Sequence, residues 1–288
     1  MLDKLRYYLI RGGEKIKILN PYILSKLMYF FKFHKFADMN HPHDLNEKLM
    51  WLTFHTDIQK WTRLADKYLV REYVIKKKLE HLLVKLYGVY RHPSEIDFDK
   101  LPEQFVLKCT HDSEGLVIVK EKSQLNVEEA KEKIETALKQ NFYYIGREWP
   151  YKNVKPRIIA EKYMEDHVDK ELRDYKFFCF DGEPKLMFVA SERSLGDTKF
   201  DYFDLEFNHL DIKQKYSNAN TPVRKPVTFE KMVEFSKILS KGFPHVRVDF
   251  YEVDGNLYFG ELTFYHFSGL MPFKPEKWDK ILGDYLKI

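Results

Sequence analysis

Near the C-terminal end, four residues able to do chemistry sit in a stretch otherwise suited to packing. The segment VRVDFYEVDGNLYFGELTF, Val246 to Phe264, reads as two β-strands meeting at Asp254-Gly255, yet it carries Arg247, Asp249, Glu261 and Thr263 among Val, Phe, Tyr and Leu. Successive strand side chains point to opposite faces, so Arg247, Asp249 and Tyr251 share one face, as do Glu261 and Thr263. If the two polar faces coincide, Asp249 and Glu261 offer hard oxygens on a rigid platform, which is what Mg²⁺ bound to phosphates requires. Arg247 beside them would stabilise negative charge developing in a transition state. From the hairpin alone, a buried arginine–carboxylate network is an equal reading. The register decides between them. A strict two-residue turn pairs Asp249 with Gly260 and sends the two carboxylates to opposite faces; a three-residue loop or a bulge brings them together.

Other residues suggest a nucleotide. Lys108 stands mid-strand in FVLKCT, where an unpaired ammonium is costly to bury and a phosphate would relieve it. A lysine snorkelling from a half-exposed strand is the alternative. The link HDSEG, with His111 and Ser113, is small and polar enough to lie over phosphates, but a single glycine marks an ordinary turn equally well. RIIAEKYMEDH runs from three apolar residues to Glu161, Lys162, Tyr163 and Met164 at a strand end, the kind of backbone edge that holds a purine. DYKFFCF puts Asp174 and Lys176 on one strand face, a carboxylate for ribose hydroxyls beside a cation for phosphates, or else a cross-strand ion pair.

These residues need elements to hold them. The first third reads as helical: Asn20 caps PYILSKLMYFF, Asp44 and Glu47 form a capping-box pattern before KLMWLTF, and one helix is expected from about Ile58 to Lys78. Strands are then expected in QFVLKCT, GLVIVK, RIIAEKYM, DYKFFCF, KLMFVAS and FDYFDLEFN. Helices are expected from Asn126 to Gln140 and from Thr228 to Lys241. The plan is a helical region over 1–95 and an α+β region over 96–288. Neither GxGxxG nor GxxxxGK[ST] occurs, which disfavours Rossmann and P-loop phosphate sites.

Composition narrows the class. With 44% hydrophobic and 32% charged residues the chain is globular, and 288 residues suffice for a large core. Two cysteines, both within expected strands, imply no disulfide framework and a reducing cytoplasm. No apolar run is long enough to span a membrane, and no signal-peptide pattern opens the chain. The net charge of +4 is uneven: residues 1–37 hold eight Lys/Arg against Asp3 and Glu14. That basic, aromatic segment suits an anionic membrane surface or an acidic polymer, or forms ordinary amphipathic helices with a solvated basic face. Nothing in the pattern calls for nucleic acid.

The order of the pieces adds what none gives alone. The phrases LNEKLMWL, LADKYLVREYV, IDFDKLPEQFVLKC, KPRIIAEKYMED, LRDYKFFCFDGEPK and VRVDFYEVDGNLYFGELTF, spread over about Leu45 to Gly269, resemble the ATP-grasp family named for teichuronopeptide biosynthesis, the TupA-like family. The resemblance implies an ATP-grasp fold in which ATP lies between two α+β subdomains. It implies that Lys108 and Lys176, with Lys67 as a third, contact the phosphates beneath the His111–Ser113 loop. It implies that Glu161 to Met164 hold adenine, that Asp174 reaches the ribose, and that Asp249, Glu261 and Thr263 hold Mg²⁺, Thr263 standing where many such enzymes use Asn. Arg247 and Arg193 would face the γ-phosphate and acyl oxygen. The implied activity is ATP-dependent carboxylate–amine ligation through an acyl phosphate, joining a uronic acid of a surface polysaccharide to an amino acid or amine. Two departures stand out: the chain begins helical where an α/β pre-domain is usual, and Asp112 and Glu114 occupy a loop that is usually richer in glycine. Three rival readings are a glycosyltransferase using the DxD of Asp97-Phe98-Asp99, a kinase phosphorylating a sugar hydroxyl, and a degenerate, non-catalytic partner of a polysaccharide assembly complex.

Overall fold

The computed structural model describes residues 12–13, 20–112, 115–193 and 196–288. Ser113, Glu114 and residues 1–11 and 14–19 of the basic segment therefore lie outside the described residues.

The helical front forms where the capping residues predict it. Asn20 accepts from Tyr22 N at 2.9 Å and opens helix α1, Pro21–Phe33. Asp44 accepts from Glu47 N at 2.8 Å and opens α2, Leu45–His55. The capping box is only half made, because Glu47 turns away to accept from Asp38 N and His43 N. The expected single helix from Ile58 to Lys78 is two helices, α3 (Ile58–Ala65) and α4 (Val70–Lys76). Asp66 breaks it: one carboxylate oxygen accepts from Tyr68 N and Leu69 N, and the other pairs with Arg157 at 2.8 Å. Lys67 sits in this break.

Two antiparallel sheets follow. The smaller has the order β1 (Leu86–Tyr90), β4 (Ile158–Lys162), β2 (Phe105–Cys109), β3 (Leu116–Val119). Strand β1 falls within the region read as helical from sequence, so the α+β architecture starts before residue 95. Helix α5, Val127–Lys139, covers this sheet and buries Ile134 and Ala137 against Phe105, Leu107 and Cys109. A short helix α6, Phe142–Gly146, and a 3-10 turn, Trp149–Asn153, lead into β4.

The larger sheet has the order β10 (Asn256–Thr263), β9 (His245–Val253), β5 (Asp174–Phe180), β6 (Glu183–Ser191), β7 (Lys199–Phe203), β8 (His209–Leu210). One continuous core joins this sheet to the front helices, α7 (Phe229–Ser240) and α8 (Lys277–Tyr285): Leu49, Trp61 and Val74 share it with Phe177, Phe178, Met232, Val248 and Leu282. Each such fully buried side chain contributes roughly 1.5–3 kcal/mol. Buried polar contacts close the seam. Asp279 accepts from Asn46 N at 3.0 Å and from Asn46 Nδ2 at 2.5 Å, and Lys48 donates to the carbonyls of Gly283 and Leu286.

Candidate nucleotide and catalytic site

The geometry begins with the hairpin register. Asp254 (φ 51°) and Gly255 (φ 74°) form a two-residue turn that pairs Val253 with Asn256. Alone, that turn would place Asp249 and Glu261 on opposite faces. A bulge at Gly260 restores the parity: Phe250 pairs with Phe259, then Asp249 with Glu261 and Arg247 with Thr263. Phe250 and Phe259 thus face the core while the polar pairs share the other face. A Cβ at residue 260 would lie 3.0 Å from Asp249 O and 3.3 Å from the Tyr251 ring, a tight fit that glycine avoids.

Strand β5 adds its own polar face. Lys176 pairs with Asp249 and Asp174 with Tyr251 across β5–β9. Seven side chains from three adjacent strands therefore converge: Asp174, Lys176, Arg247, Asp249, Tyr251, Glu261 and Thr263. Asp249 is at the centre and fully buried, accepting from Arg247 Nε and Nη2 at 2.8 Å each and from Lys176 Nζ. Lys176 also reaches Asp174 at 3.1 Å, and Arg193 reaches Asp174 at 2.5 Å. Arg247 Nη2 donates to Thr263 Oγ1 at 2.9 Å and stands 3.5 Å from Glu261.

The charges hold one another. Burial opposes ionisation of Asp249, but Arg247 and Lys176 outweigh it and lower its pKa. Burial likewise opposes the charge of Arg247, and Asp249 overcomes it, with Glu261 adding to the effect. Behind Arg247 lies a chain that the sequence did not reveal. His266 Nδ1 accepts from Arg247 Nη1 at 2.8 Å, and Nε2 lies 2.6 Å from Gln214 Oε1. Gln214 Oε1 also accepts from Tyr202 at 3.0 Å, and its amide nitrogen donates to Met271 O. Burial, and then Arg247, hold His266 well below its ordinary pKa, so it stays neutral and can accept from the guanidinium.

Above this face is a cavity of ≈ 640 Å³ between the two sheets. Its lining holds seven basic side chains (Lys32, Lys67, Lys108, Lys176, Arg193, Lys215, Arg247) against four acidic ones (Asp112, Glu148, Asp174, Glu261). An excess of cations in a cleft suits a polyanion. Lys67 donates to Asp112 O at 2.6 Å and lies 3.7 Å from Glu261, and so links the front helices to the hairpin. Lys108 pairs with Glu161 at 3.0 Å, and Arg71 lies 3.4 Å from the same carboxylate. Lys108 therefore lines the cavity but is not the unpaired ammonium considered from the sequence, because Glu161 already offsets its charge. Two contributors to the wall had no sequence signal. Lys215 has φ 61° and lies over the rings of Tyr216 and Phe267, at 4.9 and 5.3 Å. Glu148 enters from the α6–β4 connection; burial, and then Glu261, push its pKa up to about 7 against the pull of Arg247, Lys67 and Lys215.

Other predicted residues stand apart. His111 is buried and turned toward α5, its Nε2–H donating to Gln140 O at 3.1 Å, and it is not among the cavity's lining residues. Lys162 is exposed at the end of β4, Met164 is buried, and the Tyr163 hydroxyl donates to Glu165. Glu161 lines a second recess, with Lys108, Ile159 and Phe259, of only ≈ 40 Å³.

The donor set fits a Mg²⁺ ion held partly by phosphates. Asp249 and Glu261 are direct cross-strand partners, and Mg²⁺ is usually bound by one or two carboxylates plus substrate oxygens rather than by an all-protein cage. Glu261 and Thr263 line the cavity, while Asp249 lies beneath it with its oxygens on Arg247 and Lys176, which an ion there would have to displace. No group of three His, Cys, Asp or Glu side chains suited to a metal occurs among the described residues.

Comparison with known proteins places this geometry in a family. The family model described as TupA-like ATPgrasp matches residues 47–287. The chain belongs to the TupA-like ATP-grasp family. Its fold is accordingly the ATP-grasp fold, with α+β units built around the two sheets. Among solved structures, D-alanine–D-alanine ligase from Helicobacter pylori is 17% identical at TM-score 0.45, over 85% of this chain and 70% of that one. The D-alanine–D-alanine ligase from Bacillus anthracis complexed with ATP is 15% identical at TM-score 0.42, over 72% of this chain and 63% of that one. A RimK domain ATP-grasp protein from Sphaerobacter thermophilus is 11% identical at TM-score 0.43, over 78% and 69%. This ATP-grasp chain thus spans less than two thirds of the length of the second of these. A comparison with curated proteins gives no match.

Proposed function

We propose that this ATP-grasp protein is an ATP-dependent carboxylate–amine ligase that works through an acyl phosphate. The observation that carries the reading is the single polar face shared by Asp174, Lys176, Arg247, Asp249, Glu261 and Thr263, all of which except the fully buried Asp249 line a cationic cavity. Lys67, Lys108 and Lys176 neutralise the triphosphate, Glu161 to Met164 supply the edge for adenine, and Asp174 reaches the ribose. Asp249 and Glu261, with Thr263, hold Mg²⁺, which when bound supplies charge neutralisation between phosphates. Arg247, fixed from behind by His266, and Arg193 stabilise the oxygens that gain charge. A carboxylate oxygen attacks the γ-phosphorus and ADP leaves. An amine then attacks the acyl carbon, the C–N bond forms, the C–O bond to phosphate breaks, and the amine's proton leaves with phosphate. The protein needs positioning and electrostatics, not a covalent nucleophile.

The substrate class we infer is a uronic acid of a surface polysaccharide joined to an amino acid or another amine, in the cytoplasm and at the inner face of the membrane. The basic N-terminal segment supports the location. On α1, Ile23, Leu27 and Phe31 recur every four residues and are all exposed, next to Phe36. Co-sedimentation with anionic vesicles that fades with salt would test it. No helix among the described residues is long and apolar enough to cross a membrane. The DxD of Asp97-Phe98-Asp99 gives little to a glycosyltransferase: Asp97 is spent on Lys100 at 2.8 Å, in a surface 3-10 turn, and neither aspartate lines the cavity.

Mass spectrometry of products from Mg²⁺–ATP with candidate uronates and amino acids tests the reaction. A gain matching condensation with loss of water is expected. A gain of a phosphoryl group on a sugar means kinase, and loss of activity in Asp97→Asn means glycosyltransferase.

A further inference from the structure

Charge sorts the cavity into two kinds of wall. On the ligase reading, two of the three substrates, ATP and the carboxylate, are anions, and the basic side chains serve them. The third, an amine, arrives as an ammonium and needs the opposite charge. Of the acidic residues lining the cavity, three are already occupied. Asp112 accepts from Gly115 N with both oxygens, Asp174 is held by Lys176 and Arg193, and Glu261 lies between Lys67 and Arg247. The side chain of Glu148 has neither a hydrogen bond nor an ion pair among the described residues, although Lys67, Lys215 and Arg247 line the same space.

The segment that presents it is firmly built. Arg147, in the left-handed region at φ 60° and 1% exposed, stacks its guanidinium 4.5 Å from the Tyr143 ring and 5.5 Å from the Trp149 ring. Trp149 packs edge-on against Phe54 of α2, and Asn141 both caps α6 and donates to Lys152 O at 3.0 Å. The residues on either side of Glu148 are thus fixed in aromatic packing while its carboxylate faces the cavity. Holding a carboxylate beside a cleft with cations near it but none in direct contact leaves a desolvation cost, one that a ligand cation offsets. We propose that Glu148 forms the acceptor subsite, binding the incoming amine as its ammonium and setting the nitrogen toward the acyl carbon. The assignment rests on the ligase reading and gives the acceptor its chemical class: a primary amine that is cationic at neutral pH.

The test separates the two half-reactions. Hydroxylamine is uncharged at neutral pH and traps an acyl phosphate as a hydroxamate without needing an ammonium site. With Mg²⁺–ATP and glucuronate or galacturonate, wild type and Glu148→Gln should form hydroxamate at similar rates. With L-alanine or ethanolamine as acceptor, Glu148→Gln should raise the KM for the amine by about ten- to a hundred-fold, the loss of one charge-assisted hydrogen bond, and Glu148→Asp should recover part of it. An unchanged amine KM overturns the proposal. So does an equal fall in hydroxamate and amide formation, which would assign Glu148 to the ATP or Mg²⁺ side. Absence of hydroxamate with wild type overturns the ligase reading itself and this one with it, and is distinguishable because the variant plays no part in it. A retained Mg²⁺–ATP shift in melting temperature shows that the variant is folded.

Discussion

Asp249→Asn keeps the shape of the central side chain and removes its charge, so it asks what the cluster is for. Asp249 accepts from Arg247 twice at 2.8 Å and from Lys176, wholly shielded from water. Breaking a buried ion pair by removing one partner costs about 3–5 kcal/mol, because the remaining charge is uncompensated. Here the stranded cations keep other acceptors: Arg247 has Thr263 at 2.9 Å and His266 at 2.8 Å, and Lys176 has Asp174 at 3.1 Å. The expected loss is therefore at the low end, about 3 kcal/mol. In a chain of this size each kcal/mol moves Tm by about 2–4 °C, so the variant should melt roughly 6–12 °C lower. Adding Lys176→Met removes one stranded cation, and the double variant should be more stable than the sum of single losses by about 0.5–3 kcal/mol. Melting should be followed with and without Mg²⁺–ATP. Ligand at a hundred times its Kd stabilises the wild type by about 2.7 kcal/mol, and the variant should lose that gain together with turnover. Two outcomes refute the reasoning. An unchanged Tm says that the ion network does not hold the strands. A lowered Tm with the full Mg²⁺–ATP shift says that Asp249 is structural only and does not hold the metal.

Three further outcomes follow from the same structure. On the proposed placement of adenine at the backbone edge from Lys162 to Met164, ATP should raise Tm more than GTP; equal shifts in a melting assay would count against that edge. Burial, and then Asp44, raise Asp279 from 3.8 to about 7, so folding favours its protonated form. Its contribution is complete below the unfolded value and is lost as pH rises through about 7, and Tm should fall across that window in the wild type but less in Asp279→Asn. Asp249 works in the opposite sense: its lowered pKa gives stability that is present above 3.8 and lost as pH falls below it, so Asp249→Asn should flatten the acid limb of a urea-unfolding series.

Strand periodicity made most of the site readable before the fold was known. It put Asp174 with Lys176, Arg247 with Asp249, and Glu261 with Thr263, and all six share one face. Cap residues placed the starts of α1 and α2 to the residue. What periodicity missed has local causes. The apolar spacing of Ile58 to Leu69 runs straight through the break at Asp66, because the break is made by a carboxylate pinned by Arg157, ninety-one residues away. Strand β1 is five residues long and half-buried throughout, too short to show an alternation. Glu148 and Lys215 lie in connections with no period, and only tertiary packing brings them to the cavity. His266 follows Thr263 by three residues, at the start of a 3-10 turn beyond β10, where strand alternation no longer says which way a side chain points.

Gly260 shows how one residue couples sequence to chemistry. Asp254-Gly255 is a strong signal for a tight turn, and taken at face value it denies the metal site. A lone glycine inside a strand is a weaker signal, for a bulge or a close backbone approach. The two must be read together, because a tight turn and one inserted residue give the same parity as a longer loop. Asp254 lies in the turn, where its backbone N–H donates to Asp166 and its carboxylate accepts from His167 N. The connection that follows β4 is thereby tied to the tip of the hairpin that carries Asp249 and Glu261. The observed combination satisfies both contacts, so the connection after β4 and the polar face of the hairpin are held in one frame by a tight turn and a single inserted glycine.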